Sequence, residues 1–359
     1  MSSFLGNFFY LSLVCVLGFT NTLHASGESL SDLELSKIIE QQNRLLRHGK
    51  DWSEDELTRQ AQQIVTSYES YLLENPNDVN ALLLFGKFLR KTGLHESAVS
   101  LFLQADQINP NIAVVKQEIG NFLVEDGKVV EAFPFFLMAT RLAPHEPIYH
   151  YDLGNFIFLF EDKLSRIEES TNLGMLMHES FKKAVNLDPK NFDYHLRFAQ
   201  SFFDFEHVMQ QEALIAWDTL SSEFGVRSRK EEEYINFNKA RILLEIGKKQ
   251  EAMIMLRSIK SESLQKERNQ LLKKAKAENE KRLKKSSQIK GPYNHYPYIS
   301  SNLFPSDPNL RRMKVVTSKL RQERMLKEFQ IDVVQARILA NGDLSLELTQ
   351  QALSNESLK

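Results

Sequence analysis

The sequence predicts an all-α fold: a right-handed α-solenoid of antiparallel helix pairs, with about five hairpins between a degenerate leading pair and a helical C-terminal extension. Three observations carry that expectation. Pro76, Pro110 and Pro144 recur at intervals of 34 residues. Between them, Gly86, Gly93, Ala98, Phe102, Ala105 and Pro110 stand at the same offsets as Gly120, Gly127, Ala132, Phe136, Ala139 and Pro144. With 42% hydrophobic residues the chain can bury a core, while a formal net charge of −2 excludes wholesale disorder and a general DNA-coating role.

At the N-terminus, Phe8 to Phe19 is an unbroken apolar run, followed by Thr20, Asn21 and Thr22 and then Leu23-His24-Ala25. This is the layout of a secretory signal peptide cleaved after Ala25, although no Lys or Arg precedes the run. A bilayer-spanning helix needs roughly 20 apolar residues, so a cleaved leader is the expectation and the protein is read as exported, periplasmic or secreted. The alternative is a membrane tether through an uncleaved N-terminal segment; after signal removal no transmembrane segment is expected. Cys15 is the one cysteine and lies inside the run, so the processed chain would carry no disulfide and no thiolate metal site. Ser12-Leu13-Val14 ahead of it lacks the small residue that lipidation requires.

Ser31-x-x-Glu34 and Ser53-x-x-Glu56 read as capping-box starts. Leu35, Ile38, Ile39, Leu45 and Leu46 follow the first at helical spacing, and Ile64, Tyr68, Tyr71 and Leu72 the second, which predicts the leading hairpin. In the two gap-free units, Gly86 or Gly120 and Ala98 or Ala132 remove bulk where two helices cross closely, and Phe102 or Phe136 fills the space beside them. Gly93 and Gly127 supply permissive backbone between the helices, and each proline stops the second helix. Pro134, early in the second helix of the second unit, predicts a shortened or bent first turn.

This pattern resembles the tetratricopeptide repeat. Weaker copies continue downstream. Gly154, Phe181, Ala184 and Pro189 fit a third unit with eleven extra residues between Gly154 and Met177; Ala199, Ala213 and Trp217 fit a fourth with two extra. Ala240, Gly247, Ala252 and Leu256 fit a fifth, its hairpin running from Tyr234 to Ile259. The resemblance covers Asp32 to about Ile259. Because a single hairpin cannot bury its apolar face alone, the expected organisation is a signal peptide over 1–25, one solenoid over 26–260, a basic helix over 261–290, and an aromatic connection with C-terminal helices over 291–359.

The resemblance implies binding of an extended peptide or a partner protein in a concave groove lined by the first helix of each hairpin. Carried across residue by residue, the groove positions are Lys87, Arg90, Lys91, Gln117, Asn121, Tyr151, Asn155, Phe158 and Gln200, with Phe203 beside them. Asn121 and Asn155 share one offset, where a side-chain amide pairs with ligand backbone. Lys87 and Arg90 suit a carboxylate. The competing reading makes the polar members solvated helix surface and Phe158 and Phe203 packing residues. The set lacks the lysine and asparagine arrangement of relatives that clamp a chain-terminal carboxylate. Extra residues from Asp162 to Met175 lie either in a partner-specific loop or in a lengthened helix.

From Arg257 to Lys290, twelve Lys or Arg stand against four Glu, leaving −10 for the rest of the chain. A charged capping helix accounts for this; an electrostatic footprint for an acidic polymer is the alternative, while missing aromatic interleaving argues against nucleic acid. Gly291 to Pro308 clusters Tyr293, Tyr296, Tyr298 and Phe304 among four prolines, as a connection packed on the solenoid. A helix is expected from Ser306-Asp307-Pro308 to Asn341-Gly342, with Leu310, Met313, Val316, Leu320, Met325, Phe329, Val333 and Ile338 as its stripe, and a short one over Leu344 to Leu353.

No phosphate-cradling glycine loop or G-x-S-x-G turn is present. His145-Glu146 with His150 is one residue too long for H-E-x-x-H, and prolines flank it; Glu161-Asp162 and Glu168-Glu169 are adjacent pairs that diverge on a helix. The expectation is therefore a non-enzymatic scaffold or assembly factor with no cofactor and no metal, or alternatively an envelope accessory protein that binds an acidic surface through its basic helix.

Overall fold

The computed structural model describes residues 29–166, 170–204, 209–225, 228–281, 308–324 and 331–348. The expected signal peptide, Cys15, the aromatic segment as far as 307, Met325, Phe329 and 349–353 lie outside the described residues. The chain divides into two compact units, one of 1–142 with 303–359 and one of 143–302. That boundary falls within the span expected of one solenoid.

The first unit begins with α1 (Leu30–His48) and α2 (Glu54–Glu74). The capping box of α1 sits two residues earlier than its expected place: Ser29 Oγ accepts from the Asp32 amide at 3.1 Å, and the Asp32 carboxylate accepts from the Ser29 amide at 3.2 Å. Ser53 caps α2, accepting from the Glu56 amide at 3.2 Å. Two tyrosines of α2 fix the next helix, α3 (Val79–Lys91). Tyr68 stacks on Phe85 at 4.9 Å between centroids, and Tyr71 donates at 2.7 Å to Asp78, the residue whose other oxygen caps α3 at the Asn80 and Ala81 amides.

Two repeat hairpins follow, α3 with α4 (His95–Ile108) and α5 (Ala113–Glu125) with α6 (Val129–Leu142). Their turns rest on Gly93 and Gly127, whose φ values of 88° and 74° belong to the left-handed region that glycine enters without strain. The crossings are as close as the sequence implies: a Cβ added at Gly86 would stand 2.5 Å from the Phe102 ring, and one at Gly120 3.2 Å from the Phe136 ring. Both rings are buried. Pro134 does not shorten its helix, since α6 runs through it for 14 residues, the length of α4.

The C-terminal part of this unit corrects the sequence reading. A helix does begin at Pro308, but α14 ends at Arg324. Val333–Ile338 (β1) and Leu344–Leu348 (β2) then form an antiparallel hairpin in place of the expected helical run. Gly342 turns it with φ 87°, and the Leu339 amide donates to Asp343 at 2.8 Å. α14 lies against α4 and α6 with Met313, Thr317 and Leu320 buried at helical spacing. β1 lies along α2, whose side chains satisfy its backbone: Glu69 accepts from Ile331 N at 2.7 Å, Gln62 from Val333 N at 2.5 Å, and Thr58 from Ala336 N at 2.8 Å.

The second unit contains α7 (Pro147–Leu164), α8 (Ser170–Leu187), α9 (Phe192–Ser201), α10 (Gln210–Ser222), α11 (Arg229–Glu245), α12 (Lys249–Ser258) and α13 (Gln265–Lys281). The third repeat departs in two ways: α7 is kinked at Phe160, whose φ of −127° and ψ of 19° are non-helical, and α8 has 18 residues against 14 in α4. Gly154 and Phe181 repeat the close crossing, with an added Cβ 2.6 Å from the ring. Trp217 is fully buried with Ala199, Ala213, Leu220 and Ile235. A neighbouring cluster of Phe237, Ala240, Leu243, Ala252 and Leu256 is closed by Ala275 of α13, with Leu271 and Leu272 packed against it.

Candidate partner-binding faces

The face of the first unit made by α3 and α5 is dominated by internal ion pairs. Arg90 Nη1 donates to Glu118 Oε2 at 2.6 Å, Arg90 Nη2 lies 3.5 Å from Glu125, and Lys87 Nζ is 4.0 Å from Glu118. Glu125 also takes His95 Nδ1 at 2.6 Å. Burial alone would lower the Arg90 pKa, but the two glutamates outweigh it and raise it. The carboxylate that Lys87 and Arg90 suit is thus present within the chain. Desolvation pushes the Lys91 pKa down, and the charge of Asp343 in the β-hairpin opposes that shift. Gln117 and Asn121 are buried.

Elsewhere in the same hairpins, Asp106 and Lys116 form a buried ion pair between α4 and α5, and Arg321 of α14 donates to the second Asp106 oxygen at 2.8 Å. Arg324 pairs with Glu96 and lies 5.6 Å from the centre of the Phe122 ring. Nothing in the repeat framework marks these positions.

In the second unit, the groove residues expected from α7 and α9 do come together. The Arg197 guanidinium lies 3.9 Å from the centre of the Phe158 ring and 4.7 Å from Phe181. Its Nε donates to Asn155 Oδ1 at 3.3 Å and its Nη1 to Asp204 Oδ2 at 2.9 Å. Arg197 Nη2 is buried without a hydrogen-bond partner among the described residues. Tyr151 packs on Tyr194 at 4.8 Å, and burial raises its pKa while the bond with Asn155 lowers it. Phe158 is 39% exposed, so it is not a core residue.

The strip continues onto α11. Gln200 Nε2 donates to the Tyr234 hydroxyl at 3.0 Å, linking α9 to α11. Arg241 lies 3.7 Å over the Phe203 ring, with Nη1 donating to Asn238 Oδ1 at 3.1 Å. Arg197, Tyr234 and Arg241 were not among the sequence candidates. The sequence cue to Arg241 is its place one residue after Ala240, the offset at which Asn121, Asn155 and Gln200 follow Gly120, Gly154 and Ala199.

His150, from the pseudo-metal cluster, bonds the Pro144 carbonyl at 3.0 Å, and His195 bonds the Pro189 carbonyl at the same six-residue separation and the same distance. These histidines tie the start of a helix to the repeat proline. Deeper in the unit, His178 Nδ1 lies 2.8 Å from Ser201 Oγ against the Phe198 and Phe202 rings, and burial lowers its pKa to about 4. Among the described residues no helix is long and apolar enough to cross a membrane.

Residues 79–112 match the family model described as tetratricopeptide repeat. No curated protein matches the chain. Among solved structures the chain is similar to YrrB, described as a TPR protein with an unusual peptide-binding site, at 18% identity over 53% of this chain and 88% of that one, with a TM-score of 0.44. It is similar to PilW, described as a widely conserved type IV pilus biogenesis factor, at 16% identity over 68% and 99%, with a TM-score of 0.42. MamA from Desulfovibrio magneticus RS-1 gives 18% identity over 52% and 93%, with a TM-score of 0.38.

Proposed function

From the premise that this chain contains a tetratricopeptide repeat, we propose that it is a protein-interaction scaffold or assembly factor that holds an extended peptide or partner segment against its first-helix faces, without catalysis of its own. The observation that supports this reading is the strip on α7, α9 and α11, where Asn155, Phe158, Arg197, Gln200, Phe203 and Arg241 join into one partly exposed row of amides, rings and guanidiniums. Such a row offers backbone-pairing amides and flat apolar surface together, which suits an extended chain.

Export through a cleaved leader over 1–25, to the periplasm or the exterior, belongs to the same proposal, as does the organisation into a repeat region over 26–260, a basic helix and a terminal region. An affinity pull-down from envelope extract, comparing the native chain with an Asn155→Ala, Gln200→Ala double variant, tests the groove. A specific partner should be depleted from the variant eluate; equal recovery of every band would reject groove binding.

A second reading has its own observation. Helix α13 turns Leu271, Leu272 and Ala275 inward and exposes Lys266, Lys273, Lys274 and Lys276. Binding of an acidic polymer to that face requires affinity for polyglutamate that falls steeply with salt. Salt-insensitive binding would exclude it.

A further inference from the structure

Arg197 and Arg241 are the same device in two states of completion. Each guanidinium carbon stands over a phenylalanine ring, 3.9 Å from the centre of Phe158 and 3.7 Å from that of Phe203, while the N–H donors at the edge of the group still need acceptors. On Arg197 that edge meets a carboxylate, Asp204 at 2.9 Å. On Arg241 it meets the neutral Asn238 amide oxygen, and among the described residues no carboxylate lies within 4 Å. Glu245 and Asp204 act on it only from beyond that distance, and Lys239, two residues before it, is paired with Asp218. A half-buried guanidinium with no carboxylate within ion-pair reach among the described residues has lost hydration that the single Asn238 bond replaces only in part.

We propose that the α9–α11 face carries a subsite for an acidic side chain, Asp or Glu, of an extended partner segment, with the Phe203 ring beneath and the Arg241 edge receiving the carboxylate. The inference rests on the partner-holding reading above and specifies its chemistry. A side chain is favoured over a chain end because a terminal carboxylate is held by several converging cations, whereas here a single guanidinium is open and Arg197 is already committed to Asp204. A partner carboxylate would give Arg241 the counter-charge that Asp204 gives Arg197.

The test uses the full chain and a randomised dodecapeptide display library, with enriched peptides resynthesised and measured by fluorescence anisotropy. The expected result is enrichment of Asp or Glu at one register position, with affinity reduced about tenfold or more by Arg241→Gln and by Arg241→Lys, since a charge-assisted hydrogen bond is lost in the first and lysine has no fork. Amidating the peptide C-terminus should leave affinity unchanged. Phe203→Leu, which retains an apolar side chain but loses the aromatic face, reads the same subsite should an Arg241 variant fail to fold. Enriched peptides without an acid, or with acid-dependent binding untouched by these substitutions or abolished by amidation, overturn the subsite while leaving the scaffold reading in place. A library that yields no binder overturns both.

Discussion

The two units apply one hairpin geometry to opposite ends. In the first, the cations expected to face a partner are consumed internally: Glu118 and Glu125 take Arg90, Glu118 draws in Lys87, and Gln117 and Asn121 are buried. In the second, aromatic rings carry the cations, and among the described residues Arg241 has no carboxylate within ion-pair distance. The difference teaches that a shared repeat framework fixes where a face is but not whether it is chemically open. Framework positions are set by helix crossing; face chemistry is set residue by residue.

The comparison can be broken at its core first. Phe102→Ala in the first unit and Phe181→Ala in the second should each cost about 3–5 kcal/mol, because both rings are fully enclosed beside a glycine. Each unit holds one of the two tryptophans, Trp52 or Trp217, so urea unfolding of Trp52→Phe and Trp217→Phe backgrounds reports the units separately. Coincident loss in both reporters for either variant would mean that the units do not unfold separately.

Next in size is a pH dependence confined to the second unit. The folded-state pKa of His178, lowered to about 4, lies below its ordinary value of 6.5. The unfolded chain therefore binds the proton first, so stability is complete above pH 6.5 and is lost as pH falls toward 4. The total is up to about 3 kcal/mol. Denaturation midpoints of the Trp217-reporting background between pH 7 and 4 should show this fall, and His178→Phe should flatten it. A slope that survives the substitution would assign the effect elsewhere.

The smallest expected effect separates two crossings within one unit. Gly86→Ala should cost about 1–3 kcal/mol, since its Cβ would meet the Phe102 ring at 2.5 Å. Gly120→Ala, with its nearest ring atom at 3.2 Å, should cost less. Thermal melts of the two variants rank them, and an equal loss would show that the rings yield alike.

The repeat was legible because close crossing leaves a residue-type signature: glycine opposite phenylalanine, alanine beside it, proline at a fixed distance. The β-hairpin was readable but misread. Leu344, Leu346 and Leu348 alternate with Ser345 and Glu347, and Asn341-Gly342 stands between two apolar runs, a turn cue that here opens a hairpin and does not end a helix. Face chemistry was not legible, because pairs such as Arg90 with Glu118 and Arg197 with Asn155 are 28 and 42 residues apart, and neither separation is the repeat length. Whether a side chain is neutralised depends on neighbours that periodicity does not name.

The hairpin on α2 also bears on how the molecule is made. Thr58, Gln62 and Glu69 leave the ribosome more than 260 residues before the backbone they satisfy. The first unit is begun first and closed last, whereas the second is encoded without interruption and can complete its core during synthesis. For most of translation the surfaces of α2, α4 and α6 that the hairpin and α14 cover are open, and contacts that close them, such as Arg321 with Asp106 and Ala336 with Thr58, join residues 215 and 278 apart.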